Sequence, residues 1–188
     1  MNAVCAGNLF VSEFNSYYNQ GYIAEYNSGR FARGFVTGMD RPGALACDSA
    51  GDLFALVGGN IDEFTPSGVQ LTIASGLNGT ALAFNGAGDL FEADNSGHTY
   101  DTTQGRTFAS GLSLPSALAF NSAGDLFVIA GWNIGVIYKF TPGGVQSTFA
   151  SGLPYSYDMT FQTIPEPSIS CLPALGATAF PVRYRRNP

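Results

Sequence analysis

The stretch "SALAFNSAGDLF" at residues 116–127 recurs along the chain with small changes. Two copies read "TALAFNGAGDLF" at 80–91 and "GALACDSAGDLF" at 43–54, and a shorter form, "CAGNLF", stands at 5–10. The glycines that share one place in the four copies are 44, 37 and 36 residues apart: Gly7, Gly51, Gly88 and Gly124. A period of this length holds about four short strands with their turns, so we predict a repeat protein.

Each copy opens with a strand in which large and small apolar side chains alternate. The large residues Leu82 and Phe84 are expected on one face and the alanines beside them on the other, since side chains along a strand alternate between faces. A sheet that is apolar on both faces must be covered on both, and the difference in size lets neighbouring sheets nest. The "NGAG" that follows is typical of a short turn closed by a glycine in the left-handed conformation.

A second hairpin follows in each unit, as in "IDEFTPSGVQLTIASGL" at 61–77 and "VIYKFTPGGVQSTFASGL" at 136–153. Two hairpins give four antiparallel strands, and such small sheets are stable only when they pack side by side as blades. We therefore predict an all-β, β-propeller-like fold of about four blades of four antiparallel strands within residues 1–163. The units are 1–42, 43–79, 80–115 and 116–154, with a further copy of the opening strand at 157–163.

The residues that carry this pattern resemble a known family. "P-x-A-L-A-F-N-x-A-G-D-L-F-V" followed by "I-x-x-F-T-P-x-G" is similar to the NHL-type and gluconolactonase-like β-propeller repeats, over about residues 4–161. The resemblance implies the fold and leaves the activity open, since propellers host many functions. For a lactonase- or lyase-like enzyme it implies a divalent metal, calcium or another cation, held in the central channel by acidic and amide groups. The weak candidates, six residues after the turn glycine, are Glu13 and Asp94.

Four units are fewer than such propellers usually close into a ring. In one interpretation, the strand at 157–163 completes the blade that begins at the amino terminus. In the other, which we favour, the chain is an N-terminally truncated fragment of a larger propeller.

The last 25 residues, 164–188, have a different composition, "IPEPSISCLPALGATAFPVRYRRNP". A Pro-Glu-Pro triplet, a mainly apolar span and a basic cluster resemble the PEP-CTERM sorting signal of bacterial envelope proteins. The resemblance implies an exosortase-type processing enzyme as partner, transient anchoring of the precursor in the membrane, and export to the cell envelope or the exterior. The residues carried over are Pro165, Glu166 and Pro167 for the motif and Arg183, Arg185 and Arg186 for the cytoplasmic side.

Two features of the tail depart from this pattern. The apolar run from 168 to 182 is shorter than the roughly 20 residues of a spanning helix, and Pro173 and Pro181 interrupt it. A proline-rich terminus without structure is the alternative. Because a sorting signal needs an export leader and "MNAVCAGNLF" is not one, the tail also favours a truncated start.

The charge and the cysteines exclude some classes of function. The net charge is −6, and three of the eight basic residues lie in the last six positions, so we predict no nucleic-acid partner. The three cysteines lack metal-ligand spacing, and their odd number predicts no disulfide framework. Cys47 stands where other copies carry Phe84 and Phe120, which predicts a small buried thiol.

Catalytic motifs are scarce. The single histidine, His98, aligns with Ile61 and Ile137, which predicts a structural role on a strand. Acids that follow the turn glycine are expected to be solvated or to bond to turn amides: Asp52, Asp89 and Asp125. Enzymatic activity stays open, and no catalytic or cofactor-binding residue is predicted.

The copies differ most in the loops after "LF", where function is usually placed. These loops carry aromatic and amide side chains, which suit sugar faces or peptide segments. Packing of the same aromatic rings on blade edges is the alternative. The predicted ligand-binding residues are Tyr17, Tyr18, Trp132 and Asn133. We therefore favour a binding or scaffold module for a glycan or a protein over a metal-dependent enzyme.

Overall fold

The computed structural model describes residues 2–5, 7–18, 20–27 and 32–161. These residues form sixteen strands in four sheets. The first sheet consists of β1 (Asn2–Cys5), β2 (Asn8–Asn15), β3 (Gln20–Tyr26) and β4 (Ala32–Met39). The second consists of β5 (Pro42–Cys47), β6 (Leu53–Val57), β7 (Asn60–Phe64) and β8 (Gln70–Ala74). The third consists of β9 (Gly79–Phe84), β10 (Leu90–Asp94), β11 (Thr99–Asp101) and β12 (Arg106–Ala109). The fourth consists of β13 (Pro115–Phe120), β14 (Leu126–Ala130), β15 (Ile134–Phe140) and β16 (Gln146–Pro154).

Every sheet is a four-stranded meander whose strands lie in chain order and pair antiparallel. The first strand of each sheet contacts the first strand of the next, so β1, β5, β9 and β13 follow one another. We call the four sheets blades 1 to 4. The predicted all-β, propeller-like fold of four-stranded blades is confirmed.

The alternation of large and small residues holds neighbouring blades together. Leu82 and Phe84 of blade 3 pack against blade 2, where the Phe84 ring lies 5.0 Å from the ring of Phe54. The alanines beside them pack on the opposite face with the residues of blade 4. The next junction repeats the contact, since the rings of Phe91 and Phe120 are 4.9 Å apart. Edge-to-face ring pairs of this kind add about 0.5–1.5 kcal/mol to the burial of their surface.

The predicted turn chemistry is present between the first two strands of blades 2, 3 and 4. In blade 3, the Asn85 side-chain oxygen accepts hydrogen bonds from the backbone N–H groups of Ala87 (2.9 Å) and Asp89 (2.8 Å). Gly88 has φ +89°, a conformation that favours glycine. The acid that follows the glycine accepts a hydrogen bond from the asparagine side chain in blades 3 and 4, so these acids belong to the turns.

The predicted strand at 157–163 is not formed over residues 157–161, and the last two residues lie outside the described part. Among the described residues, no later strand follows this segment. Its backbone therefore lacks the hydrogen bonds to a neighbouring strand that the first strand of each blade makes. Phe161 nevertheless lies 4.9 Å from Phe127 of blade 4. This is the ring contact that Phe84 and Phe120 make with the blades before them. The segment therefore covers blade 4 in the way that the first strand of another blade would.

The prediction that the cysteines form no disulfide is wrong, and Cys47, predicted to be a small buried thiol, is a partly buried half of a disulfide. Cys5 and Cys47 form a disulfide bond that joins β1 to β5, with their Cα atoms 5.5 Å apart. The two strands are neighbours only in the folded chain, so the linear spacing of the cysteines could not reveal the pair. The third cysteine, Cys171, lies outside the described residues, as does the whole predicted sorting tail.

Of the part of the chain that the structure describes, no helix is long and apolar enough to cross a membrane.

Candidate functional site

A cavity of about 350 Å³ opens at the loop end of blades 3 and 4. It lies where the connection between these blades meets the β14–β15 turn and the segment that follows β16. The side chains of Trp132, Tyr157 and Leu114 supply its apolar surface, and Asn95 and Ser116 supply polar groups. Trp132 is 69% exposed and Tyr157 is 60% exposed, so both residues are open to a ligand.

The backbone at Gly131 fixes the start of the loop that carries Trp132. Gly131 has φ +103°, and a Cβ atom there would lie 2.8 Å from the carbonyl oxygen of Ile134. Its N–H donates a 2.5 Å hydrogen bond to the carbonyl of Ser113, in the connection from blade 3. The residue that precedes the tryptophan is therefore held by both neighbouring segments and has no room for a side chain.

Two of the three connections between blades, and the segment after blade 4, share an unusual backbone conformation. Leu114, in the connection to blade 4, has φ +47°, although it carries a side chain. Arg41, in the connection from blade 1 to blade 2, has φ +45°, and Tyr155, after blade 4, has φ +50°. Non-glycine residues in this region cost about 1–3 kcal/mol and cluster at functional sites. The shared strain at equivalent positions marks this end of the blades as a candidate binding end.

The polar groups of the cavity differ in how they are satisfied. The Thr80 hydroxyl lies 2.7 Å from the carbonyl of Pro115 and 3.0 Å from that of Ala93, so it is bound within the protein. The hydroxyl of Ser116 is buried and has no hydrogen-bond partner among the described residues. A buried hydroxyl without a partner costs about 1–3 kcal/mol. The described residues place no charged side chain on the cavity lining.

The structure separates the sequence-predicted aromatic residues into two groups. Trp132 lines the cavity, and Asn133 is exposed beside it without lining it. Tyr17 and Tyr18 lie in the β2–β3 turn of blade 1, exposed and 5.0 Å apart in an edge-to-face pair. They belong to the same type of turn as Trp132, but they do not line this cavity.

The two weak metal candidates lie in different blades, and each has a partner within its own blade. Glu13 accepts a hydrogen bond from the hydroxyl of Tyr22, and this contact raises the pKa of the tyrosine. Asp94 accepts a 2.8 Å hydrogen bond from the backbone N–H of His98 and lies 3.5 Å from its Nδ1 atom. Among the described residues, no group of three or more His, Cys, Asp or Glu side chains could hold a metal ion.

His98 and the turn acid Asp125 contact residues of their own blades. His98 lies immediately before β11, not on a strand, and its ring is 5.7 Å from that of Tyr100. Asp125 pairs with Lys139 at 2.8 Å. Lys139 and then Asn121 lower the pKa of this carboxyl by bonding to its charged form.

One unusual residue, Glu92 on β10, escaped the sequence reasoning. Its side chain is 1% exposed, and neither carboxyl oxygen has a hydrogen-bond partner among the described residues. Burial, and then the charge of Asp94, raise the pKa of Glu92 to about 7. The signal was present in the repeat, because the other copies carry Val11, Ala55 and Val128 at this position.

Comparison with known proteins supports the fold. No protein-family model matches the chain, and a search of the curated proteins gives no match. The chain is similar to the structure of a gluconolactonase from Xanthomonas campestris, with 17% identity and a TM-score of 0.70 over 85% of this chain and 64% of that one. It is also similar to virginiamycin B lyase from Staphylococcus aureus, with 16% identity and a TM-score of 0.58 over 79% of this chain and 54% of the lyase. A luciferin-regenerating enzyme matches with 11% identity and a TM-score of 0.61, over 86% of this chain and 64% of the enzyme.

These similarities define the class of the protein as a β-propeller. Its structural neighbours are propellers of the gluconolactonase and virginiamycin B lyase kinds. The chain spans less than two thirds of the length of these neighbours, 64% of the gluconolactonase and 54% of the lyase. At identities of 17% and below, the similarity concerns the fold alone.

Proposed function

We propose that this protein is an exported or envelope-associated β-propeller module that binds a ligand, a glycan or a protein segment, without catalysis. The observation that carries the proposal is the cavity at the loop end of blades 3 and 4. Its volume of about 350 Å³ falls within the usual range of small-ligand sites. Exposed aromatic rings beside a few polar groups are the lining that sugar faces and apolar peptide side chains require.

The test is a glycan and peptide array probed with labelled protein. We expect a signal with the wild-type protein and a loss of at least tenfold in Trp132→Ala, because the tryptophan ring supplies the largest contact surface. Tyr18→Ala is the matched control, since it removes an exposed aromatic ring from the equivalent turn of blade 1. A ligand that binds equally well to Trp132→Ala would contradict the proposed site, and a silent array would contradict the proposed ligand classes.

Export and sorting form a separate part of the proposal. The Cys5–Cys47 disulfide supports export, because such bonds persist in oxidising compartments. The tail supports sorting by an exosortase-type enzyme that reads Pro165, Glu166 and Pro167 after transient membrane anchoring. Fractionation of the source bacterium, followed by mass spectrometry of the mature carboxyl terminus, tests both. We expect envelope or secreted protein that lacks the tail, and retention of the tail in Glu166→Ala. Cytoplasmic protein with an intact tail would refute this part.

A lactonase- or lyase-like enzyme with a divalent metal is the second candidate. The fold similarity to enzymes of these kinds favours it. A metal that binds the folded protein at a hundredfold excess over its Kd stabilises it by about 2.7 kcal/mol. Thermal unfolding with calcium, magnesium or EDTA therefore separates the candidates. We expect the same Tm in all three, whereas an increase with one metal that Asp94→Asn or Glu13→Gln abolishes would favour the enzyme.

A further inference from the structure

A second cavity, of about 400 Å³, lies at the same end of the propeller between blades 2 and 3. Arg41, from the connection before blade 2, and Asn78, from the connection before blade 3, line it together with several glycines. We call it the Arg41 cavity, and the cavity between blades 3 and 4 the Trp132 cavity.

The two cavities occupy equivalent places in the repeat. Aligning "GALAC" with "SALAF" places Gly43 opposite Ser116, and aligning "LVGGN" with "IAGWN" places Gly59 opposite Trp132. All four of these residues line their own cavity. Glycine in place of serine and tryptophan leaves the Arg41 cavity without the side chains that line its counterpart.

A hydrogen-bonded pair of asparagines joins the linings of the two cavities. Asn78 lines the Arg41 cavity, and Asn95 lines the Trp132 cavity. The backbone N–H of Asn95 donates to the carbonyl of Asn78 at 3.1 Å, and their side-chain amides are 3.3 Å apart. The lining also continues directly along the chain, from Gly79 in one cavity to Thr80 in the other. One extended ligand can therefore contact both cavities across an amide bridge.

Charge distinguishes the two ends of this extended site. Among the described residues that line either cavity, Arg41 is the single charged side chain. Its Nε atom lies 3.1 Å from Asp40, and both side chains are more than half exposed. An exposed pair of this kind contributes little to stability and is screened by salt. The guanidinium keeps further N–H donors in a planar fork, which fits a carboxylate.

We propose that the two cavities are subsites of one binding site for an oligosaccharide that carries a carboxylate. The carboxylate binds Arg41 between blades 2 and 3. A neutral sugar ring packs on Trp132 between blades 3 and 4, and the Asn78–Asn95 pair donates and accepts hydrogen bonds between them. This inference rests on the proposed binding function and adds the chemical class of its ligand.

The test compares a short uronic-acid oligosaccharide with its methyl ester, which has the same shape but no charge. Titration calorimetry at low salt measures both ligands on the full chain. We expect the acid to bind about tenfold more tightly than the ester, because a charge-assisted hydrogen bond is roughly twice as strong as a neutral one. Arg41→Gln removes this preference by weakening the acid alone, and Trp132→Ala weakens both ligands. Arg106→Gln, which removes a half-exposed arginine that pairs with Asp101 within blade 3 and lines neither cavity, leaves both affinities unchanged.

The outcomes distinguish this inference from the function on which it rests. Two results would overturn the inference: equal binding of the acid and the ester, or a preference for the acid that survives in Arg41→Gln. If Trp132→Ala still weakens binding in either case, the proposed binding site stands. Binding of both ligands that Trp132→Ala does not weaken would overturn both. Absence of binding by either ligand would overturn the inference, and the array decides the proposed function.

Discussion

Replacement of Glu92 by glutamine should change how the stability of the protein depends on pH. The carboxyl of Glu92 is buried, and its oxygens have no partner among the described residues. Its pKa rises from 4.5 to about 7 in the folded protein. At pH values between 4.5 and about 7, Glu92 is therefore protonated in the folded state and ionised in the unfolded state. The free energy of unfolding of the wild-type protein should therefore fall as the pH rises through this window.

The size of the effect follows from the pKa. One unit of pKa corresponds to about 1.4 kcal/mol, so the rise sets an upper limit of about 3.4 kcal/mol. Relaxation and entry of water around the charged form reduce this value, and we expect about 2 kcal/mol. Glu92→Gln keeps the shape of the side chain and does not titrate. Its stability relative to wild type should therefore increase by about 2 kcal/mol between pH 4 and pH 8.

Urea denaturation at pH 4, 5, 6, 7 and 8 measures this difference. Glu63→Gln on β7 is the control, because it removes a glutamate that is only half-buried. In the control Glu92 still titrates, so the stability of Glu63→Gln should fall as the pH rises, as that of the wild type does. Parallel pH profiles for the wild type and Glu92→Gln would contradict this prediction, since they would mean that the buried carboxyl is ionised in the folded state without cost.

Three further predictions concern the scaffold. Cys5→Ser should lower the free energy of unfolding by about 3 kcal/mol in denaturant titrations without reductant, and reductant should remove most of the difference from wild type. Gly97→Ala should lower the free energy of unfolding by at least about 2 kcal/mol more than Gly105→Ala. Both glycines have positive φ, but only a Cβ at Gly97 would overlap a backbone carbonyl. Equal midpoints of the two variants in urea would contradict this. Lys139→Met should destabilise the protein at pH 7, and this loss should shrink as the pH falls through the pKa of Asp125, which Lys139 lowers in the folded state. A loss that is the same at pH 7 and in acid would show that the ion pair is not its cause.

The sequence predicted the blades because the repeat records the same packing several times. Each copy pairs large side chains with small ones at fixed places, and the contacts between Phe84 and Phe54 and between Phe91 and Phe120 follow from that arrangement. The turn between the first two strands was equally predictable, since its polar residue and its glycine act within five positions of each other. Features that depend on neighbouring residues, or that recur in every copy of the repeat, can therefore be predicted from a single sequence.

The features that escaped prediction depend on contacts between blades. The Cys5–Cys47 disulfide requires β1 and β5 to be neighbours, which no spacing along the chain encodes. The cavity beside Trp132 combines residues from two blades and from the segment after β16, so the sequence identified the tryptophan but not Tyr157 or Ser116. Glu92 is a different case, because comparison with the apolar residues of the other copies would have identified it.

The fluorescence emission of Trp132 would show whether a ligand binds between blades 3 and 4. Trp132 is the one tryptophan of the chain, so the fluorescence of the protein reports on this cavity without any label. Titration with the oligosaccharide or peptide selected by the array should give a saturable blue shift, because a ligand that packs on this exposed ring removes it from water. A ligand that saturates the protein by calorimetry and leaves the emission spectrum unchanged would contradict the claim that the protein binds its ligand between blades 3 and 4.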